Sequence, residues 1–200
     1  VQESSINDLD ETKIRKYFKP IDIENKIKLL KNIGVIGSEN DNIYPTIAGL
    51  LCFGKNPQQF LRNAYIEFAL YRGKILDSND LIHSEKIIGT IDNMIETAAF
   101  NVNRFMKIGA TKNVGRKEKP QFSLKALNEG IVNAVAHRDY AILGSKIRLF
   151  LFDDRLELYS PGKLPNTLTL ENMIDRQYTR NQLLVSFLSK MKSTHTKKYF

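Results

Sequence analysis

Three polar side chains at four-residue intervals, Glu129, Asn133 and His137, are the residues of this chain best suited to chemistry. If the segment that carries them is a helix, four-residue steps keep all three on one face. A carboxylate can activate water, and a carboxamide oxygen suits a hard cation such as Mg²⁺. Gly130 lies between them, where glycine costs about 1 kcal/mol relative to alanine. It therefore indicates the close approach of another backbone or of a ligand.

The segment from Leu124 to Arg138 is predicted to be that helix. Ser123 is a suitable N-cap. An apolar stripe at helical spacing is formed by Leu124, Leu127, Ile131 and Val135. We expect this stripe to pack on a sheet and to leave the polar stripe on another face of the helix.

A β-hairpin is predicted directly after this helix. Lys146–Phe152 and Leu156–Tyr159 have strand patterns, and Asp153-Asp154 between them is interpreted as a turn rather than as a pair of catalytic carboxylates. The second strand runs into Ser160–Pro165, a turn that contains one glycine, Gly162.

The central part of the chain gives three further predictions. Residues 64–71 alternate and are rich in aromatic side chains, which favours a strand followed by a loop over 72–80. Apolar residues at helical spacing predict one amphipathic helix over 85–105. Glycines, a proline and five basic side chains predict a mobile basic loop over 107–121.

The N-terminal part is predicted to hold a small helical or winged-helix-like segment. Residues 1–20 are expected to be a linker or a poorly packed lead-in. A helix capped by Asp22 and ended by Gly34 is followed by a short strand, a polar turn and a returning strand. Thr46 then caps a short helix over 47–53.

Composition restricts the classes of protein and of partner. The net charge of +8 favours an anionic partner such as DNA or RNA, with a solvated basic surface as the alternative. The single cysteine, Cys52, excludes an internal disulfide and a multi-cysteine zinc site, and we expect it to be buried. His83 and His195 are isolated and are assigned to the surface. No apolar run reaches the roughly 20 residues needed to cross a bilayer. The single cysteine fits a reducing environment, so the expected location is the cytoplasm.

Four motifs carry a resemblance to known proteins. The run Glu129–Ala134 resembles the N-box helix of the GHKL ATPase superfamily. The runs Pro45–Lys55, Asn133–Tyr140 and Phe152–Gly162 together resemble one family in it, labelled as RecG-related ATP-dependent DNA helicase C-terminal or as transcriptional regulator. Members often carry an AlbA/Schlafen-like DNA-binding domain upstream. The resemblance covers about residues 25–185.

The resemblance implies roles for individual residues. Asn133 matches the N-box asparagine that ligates Mg²⁺ between the phosphates of ATP. Glu129 matches the glutamate that positions or deprotonates the attacking water. The residue types alone, apart from the resemblance, suggest that His137, Arg138 and Asp139 either hold a phosphate, with Arg138 as donor and Asp139 orienting His137, or cap the end of the helix.

The chain departs from the GHKL pattern in two places. Ser160-Pro161-Gly162 stands where the superfamily has Asp-x-Gly, whose aspartate binds adenine, so Ser160 and Gly162 are the candidates at that position. No glycine follows Gly162, so either the domain is truncated at its C-terminus or this branch has lost the glycine-rich lid. A helicase motor is not expected, because neither Gly54-Lys55 nor Gly73-Lys74 belongs to a Walker A loop.

The sequence thus predicts an α+β protein. Its parts are a lead-in over 1–20, a small helical or winged-helix-like segment over 21–62, and a GHKL-like α/β sandwich over 63–200. The leading hypothesis is a DNA-associated transcriptional regulator module with a degenerate site for ATP and Mg²⁺. The alternatives are a pseudo-ATPase scaffold for protein or DNA contacts and a slow Mg²⁺-dependent ATPase. DNA contact through the basic surface or a missing N-terminal domain, and homodimerisation, are expected; a membrane partner is not.

Overall fold

The computed structural model describes residues 1–18, 25–111, 117–164, 169, 171–172 and 178–191. Seven α-helices lie in these residues: α1 Glu11–Tyr17, α2 Lys26–Asn32, α3 Ile47–Phe53, α4 Pro57–Phe60, α5 Ile91–Phe105, α6 Leu124–His137 and α7 Gln182–Lys190. Eight strands accompany them: β1 Ile36–Glu39, β2 Asn42–Pro45, β3 Ile66–Tyr71, β4 Leu81–Ile87, β5 Ile108–Thr111, β6 Lys117–Pro120, β7 Ile147–Leu151 and β8 Leu156–Tyr159. No helix among these residues has both the length and the apolar character needed to cross a membrane.

Two helices begin at the caps that the sequence predicts. The Thr46 hydroxyl accepts a hydrogen bond from the Gly49 amide at 2.9 Å at the start of α3. The Ser123 hydroxyl accepts one from the Ala126 amide at 3.4 Å at the start of α6. The predicted bounds of both helices are confirmed, with α6 ending at His137, one residue earlier than expected.

Strands β4, β3, β7 and β8 form one mixed sheet in that order. β3 pairs with β7 in parallel, while the β3–β4 and β7–β8 pairs are antiparallel. The predicted hairpin over 146–159 is therefore confirmed. Because β7 and β8 run in opposite directions, the start of β7 and the end of β8 lie at the same end of the sheet, where Arg148 pairs with Tyr159.

The helices cover one face of this sheet. Buried side chains of α5 and α6 share a core with inward-facing residues of β3 and β7 such as Phe68 and Leu149. Ala69, Phe150 and Phe152 form a separate small cluster on the opposite face. The α+β class is thus confirmed. The same core also takes in Leu9 and Leu30, and the division into three regions stays a prediction.

The N-terminal residues differ from the expected linker. Asp10 accepts hydrogen bonds from the Thr12 and Lys13 amides and so caps α1. Ile14 of this helix is 2% exposed and belongs to the core. The expectation of a poorly packed lead-in is therefore wrong for residues 1–18. The predicted Asp22 cap lies outside the described residues, and Gly34 ends α2 with φ +76° as predicted.

Two central predictions are also corrected. The helix predicted over 85–105 begins only at Ile91, after Thr90, and residues 81–87 form the edge strand β4. An edge strand is exposed on both faces for much of its length, so it lacks the alternating pattern that would identify it. The predicted loop over 107–121 contains the antiparallel strands β5 and β6.

Candidate nucleotide site on helix α6

The first two residues of the polar stripe are free. The side chains of Glu129 and Asn133 are exposed, one helical turn apart. Neither forms a hydrogen bond or an ion pair with another described residue. A Cβ atom added at Gly130 would meet only the Leu158 side chain, at 3.6 Å, an ordinary contact. A methyl group therefore fits at position 130 in contact with Leu158, and the exposed side chains of Glu129 and Asn133 are available to a ligand.

His137, the third residue of the stripe, is half-buried at the end of α6. Burial lowers the pKa of this imidazole, and the positive charge of Arg180 lowers it further. Both effects disfavour the protonated form. His137 is therefore predominantly neutral at pH 7 and can accept or donate one hydrogen bond at each ring nitrogen.

The turn after β8 is tied to the end of α6 by two hydrogen bonds. The Ser160 hydroxyl donates to the Ala134 carbonyl at 2.7 Å, and the Asp139 amide donates to the Pro161 carbonyl at 2.8 Å. The proton of Ser160 is thus engaged, and only the lone pairs of its oxygen remain for a ligand. Serine here cannot reproduce the charged acceptor of the GHKL aspartate.

Arg180 and Asn181 join the same region, although the sequence analysis did not single them out. Arg180 donates to the Asp139 carboxylate at 3.0 Å and also to the Lys163 carbonyl. The Asn181 side-chain amide donates to the Ala136 and Arg138 carbonyls, each at 2.8 Å. These carbonyls lie at the end of α6, where the helix itself supplies no donor. Only their sequence separation of more than 40 residues hid these partners.

Gly162 fits this region for a conformational reason. Its φ of +137° is one that other residues rarely adopt. A Cβ atom here would lie 3.2 Å from the Asp139 Cβ and 3.5 Å from Nη2 of Arg180. The turn therefore needs glycine for its backbone and for its close approach to Asp139.

Arg138 is bonded differently from what its predicted role as a phosphate donor requires. It is 2% exposed, and its Nη2 donates to the carbonyls of Asn63, Ile142 and Ser145 at 3.2, 3.3 and 2.6 Å. Its guanidinium carbon lies 4.6 Å from the centre of the Tyr140 ring. Burial lowers the pKa of this guanidinium. Arg138 thus fastens the loop after α6, and binding to the cofactor predicted on the stripe stays a prediction.

The remaining candidates lie away from the stripe. His83 is half-exposed on β4, 3.7 Å from the Glu85 carboxylate, and His195 lies outside the described residues. Cys52 is fully buried as expected, and burial raises the pKa of its thiol, which makes it unreactive. Among the described residues no group of three or more His, Cys, Asp or Glu side chains could hold a metal ion.

Comparisons with known proteins support the resemblance for part of the chain. Residues 144–198 match the family model described as "Putative ATP-dependent DNA helicase recG C-terminal". This match agrees with the RecG-related family that the motifs indicate. The matched segment begins after α6, so Glu129 and Asn133 lie outside it. No curated protein matches the chain.

A solved structure shares the fold. The chain is similar to the DIP2311 protein from Corynebacterium diphtheriae, with a TM-score of 0.64 and 19% sequence identity. The likeness covers 94% of this chain but 37% of the DIP2311 chain. The likeness to DIP2311 shows the fold alone, and the match of residues 144–198 to the RecG C-terminal model is consistent with a GHKL-like α/β sandwich, in which a mixed sheet carries helices on one face.

Proposed function

We propose that this chain is the nucleotide-binding module of a DNA-associated regulatory protein, and that ATP with Mg²⁺ binds along the stripe of Glu129 and Asn133. The observation that carries this proposal is the freedom of the two side chains on an otherwise well-bonded helix. Exposed polar side chains without internal partners are common on helix surfaces, and these two are available to a ligand. Their residue types and four-residue spacing match the N-box pattern, which favours a nucleotide with Mg²⁺ as that ligand.

The donor set fits this ligand in one respect and departs from it in another. The carboxamide oxygen of Asn133 and the carboxylate of Glu129 are hard oxygen donors, as Mg²⁺ prefers. The protein offers no cage of three acidic ligands among the described residues, so most ligands of the ion would be phosphate oxygens and water. The turn at Ser160 lacks the carboxylate that recognises adenine in GHKL proteins, so selectivity for the base should be weak.

Each side chain then has a defined task. Bound Mg²⁺–ATP supplies the triphosphate and the charge of the metal ion. The Asn133 oxygen would ligate the metal ion, and the Glu129 carboxylate would orient a water molecule, which supports at most slow hydrolysis. Neutral His137 would donate a hydrogen bond to an anion without adding a charge.

Calorimetric titration with Mg²⁺–ATP tests the proposal. We expect the unmodified protein to bind one equivalent, and Asn133→Ala to weaken binding by about tenfold or more, since a charge-assisted ligand contact is lost. Asn103→Ala is the matched control, because Asn103 is an exposed asparagine of the neighbouring helix α5 and does not belong to the stripe. Equal affinities of the two variants, or no binding by the unmodified protein, would contradict the proposal and leave a scaffold without nucleotide.

A DNA partner is supported by the net charge of +8. Such contact is dominated by phosphates, so its affinity should fall steeply between about 50 and 200 mM salt. Fluorescence anisotropy with a labelled duplex measures this dependence. An affinity that does not change with salt would remove DNA from the proposal without affecting the nucleotide site.

A further inference from the structure

A concave site separate from the stripe lies beside the loop that follows α6. It is a pocket of about 350 Å³ between residues 59–64, at and after the end of α4, residues 138–143, and Glu3. Its wall has polar and apolar parts. The polar part includes Arg62 and Arg138, and the apolar part includes Phe60 and Leu143.

Arg138 enters this pocket with unused donors. All three of its hydrogen bonds come from Nη2, while Nε is buried without a partner. Nη1 also donates to no acceptor among the described residues. Carbonyl oxygens and the face of the Tyr140 ring surround the guanidinium, and no carboxylate of the described residues forms an ion pair with it, although the charge of Asp139 acts on it from a longer distance. A buried cation with an unused donor and without a paired carboxylate favours an anion placed beside it.

Arg62 strengthens this preference. Its side chain is exposed, lines the same pocket and forms no ion pair or hydrogen bond with a described residue. Among the described residues of the wall, Glu3 is the one acidic side chain. Two arginines and one glutamate leave the pocket with a net positive charge. The rings and methyl groups of Phe60 and Leu143 add an apolar surface that a bare inorganic ion would not use.

We propose that this pocket binds a small organic anion, whose carboxylate or phosphate group meets Arg138 and Arg62 while its apolar body lies against Phe60 and Leu143. The site is separate from the stripe of Glu129 and Asn133, and it depends on no part of the proposed nucleotide function. A 350 Å³ pocket suits a ligand of the size of a substituted aromatic acid.

Three probes with the same ring identify the chemistry. Benzoate carries a carboxylate, phenyl phosphate a phosphate, and benzamide is a neutral analogue of the first. Calorimetric titrations at constant ionic strength should show saturable binding of at least one anion and binding of benzamide weaker by about tenfold or more. If neither anion binds, or if benzamide binds equally well, the proposal is wrong.

Variants locate the binding without disturbing the buried arginine. Arg62→Gln should weaken the anion by about tenfold, because one charge-assisted hydrogen bond is lost. Arg72→Gln removes the same charge from an exposed position outside the pocket wall and should leave the affinity unchanged. Glu3→Gln should strengthen binding, because it removes a negative charge facing the ligand. Equal effects of the two arginine substitutions would show non-specific charge attraction and overturn the assignment.

Two further readouts separate this site from the nucleotide site. The ¹⁵N resonances of the Arg138 guanidinium should shift on titration, because Nη1, which has no acceptor among the described residues, gains one from the anion. Asn133→Ala should leave the anion affinity unchanged while it weakens Mg²⁺–ATP. An Arg138 resonance that does not respond to a saturating anion would place the ligand elsewhere.

Discussion

The two ends of the polar stripe on α6 are built in opposite ways. At Glu129 and Asn133 the side chains are exposed and have no partner among the described residues. At the C-terminal end, Ser160 and Asn181 donate to the last carbonyls of the helix, and Asp139 is paired with Arg180. The first end presents side chains that can bind a ligand, and the hydrogen bonds at the second end hold the helix that carries them in place.

This difference separates the effect of a substitution on stability from its effect on binding. Substitutions at the closed end remove partners of buried carbonyls and should lower the free energy of unfolding. Substitutions of Glu129 or Asn133 remove no contact with another described residue, so their effect on ligand affinity should exceed their effect on stability. Each prediction below tests one side of this contrast.

The largest effect on stability is expected at Asn181. Asn181→Ala leaves the carbonyls of Ala136 and Arg138 without their donor, and the free energy of unfolding should fall by about 2 kcal/mol. Urea denaturation followed by circular dichroism measures this loss. Asn103→Ala, on the exposed face of α5, should stay within about 0.5 kcal/mol of the unmodified protein. A loss at Asn181 no larger than this would show that the end of α6 does not depend on its cap.

The two glycines should respond with opposite signs. Gly130→Ala should raise the free energy of unfolding by about 1 kcal/mol, since alanine favours a helix and meets only Leu158 at 3.6 Å. Gly162→Ala should lower it by about 1 kcal/mol or more, because φ is +137° and Asp139 is close. The same denaturation experiment measures both. If Gly130→Ala were also destabilising, position 130 would have no room for a methyl group beside Leu158.

The smallest effect concerns His137 and pH. Because the folded protein lowers the pKa of this imidazole below its ordinary value of 6.5, protonation favours the unfolded chain. The stabilising contribution is present above about pH 6.5 and is lost as the pH falls. The unfolding temperature of His137→Gln should therefore fall less between pH 7.5 and about pH 5.5 than that of the unmodified protein. Parallel curves would show that His137 is not desolvated.

The sequence predicted those elements whose signals are local. The helix over 124–138 combined a cap at Ser123 with an apolar stripe, and both features act within a few residues. The helix after Thr46 and the hairpin of β7 and β8 were predicted for the same reason. The exposure of Glu129 and Asn133 also follows from helical spacing alone, although their function does not.

The remaining features depend on distant contacts. Edge strand β4 is recognised only through its pairing with β3. Because its residues alternate only weakly between apolar and polar, the helix predicted from the sequence wrongly includes the end of this strand. Arg180 and Asn181 meet the end of α6 across more than 40 residues, which no periodicity can reveal. The burial of Arg138 likewise depends on the carbonyl of Asn63, 75 residues away. The presence of Arg138 in a sequence motif therefore did not show whether its side chain binds a ligand or holds a loop in place.

The most direct test of the contrast is a titration of the ¹⁵N-labelled protein with Mg²⁺–ATP, followed by the amide and side-chain resonances. The account predicts that the Asn133 side-chain amide and the backbone amides of residues 129–134 shift most, while the Asn181 side-chain amide keeps its position because its hydrogen bonds to α6 persist. If the largest shifts occurred at Asn181 and at residues 59–64 while Asn133 did not change, the proposed nucleotide site would be contradicted. The ligand would then bind near the C-terminal end of α6 and in the pocket beside residues 59–64, and not at Glu129 and Asn133.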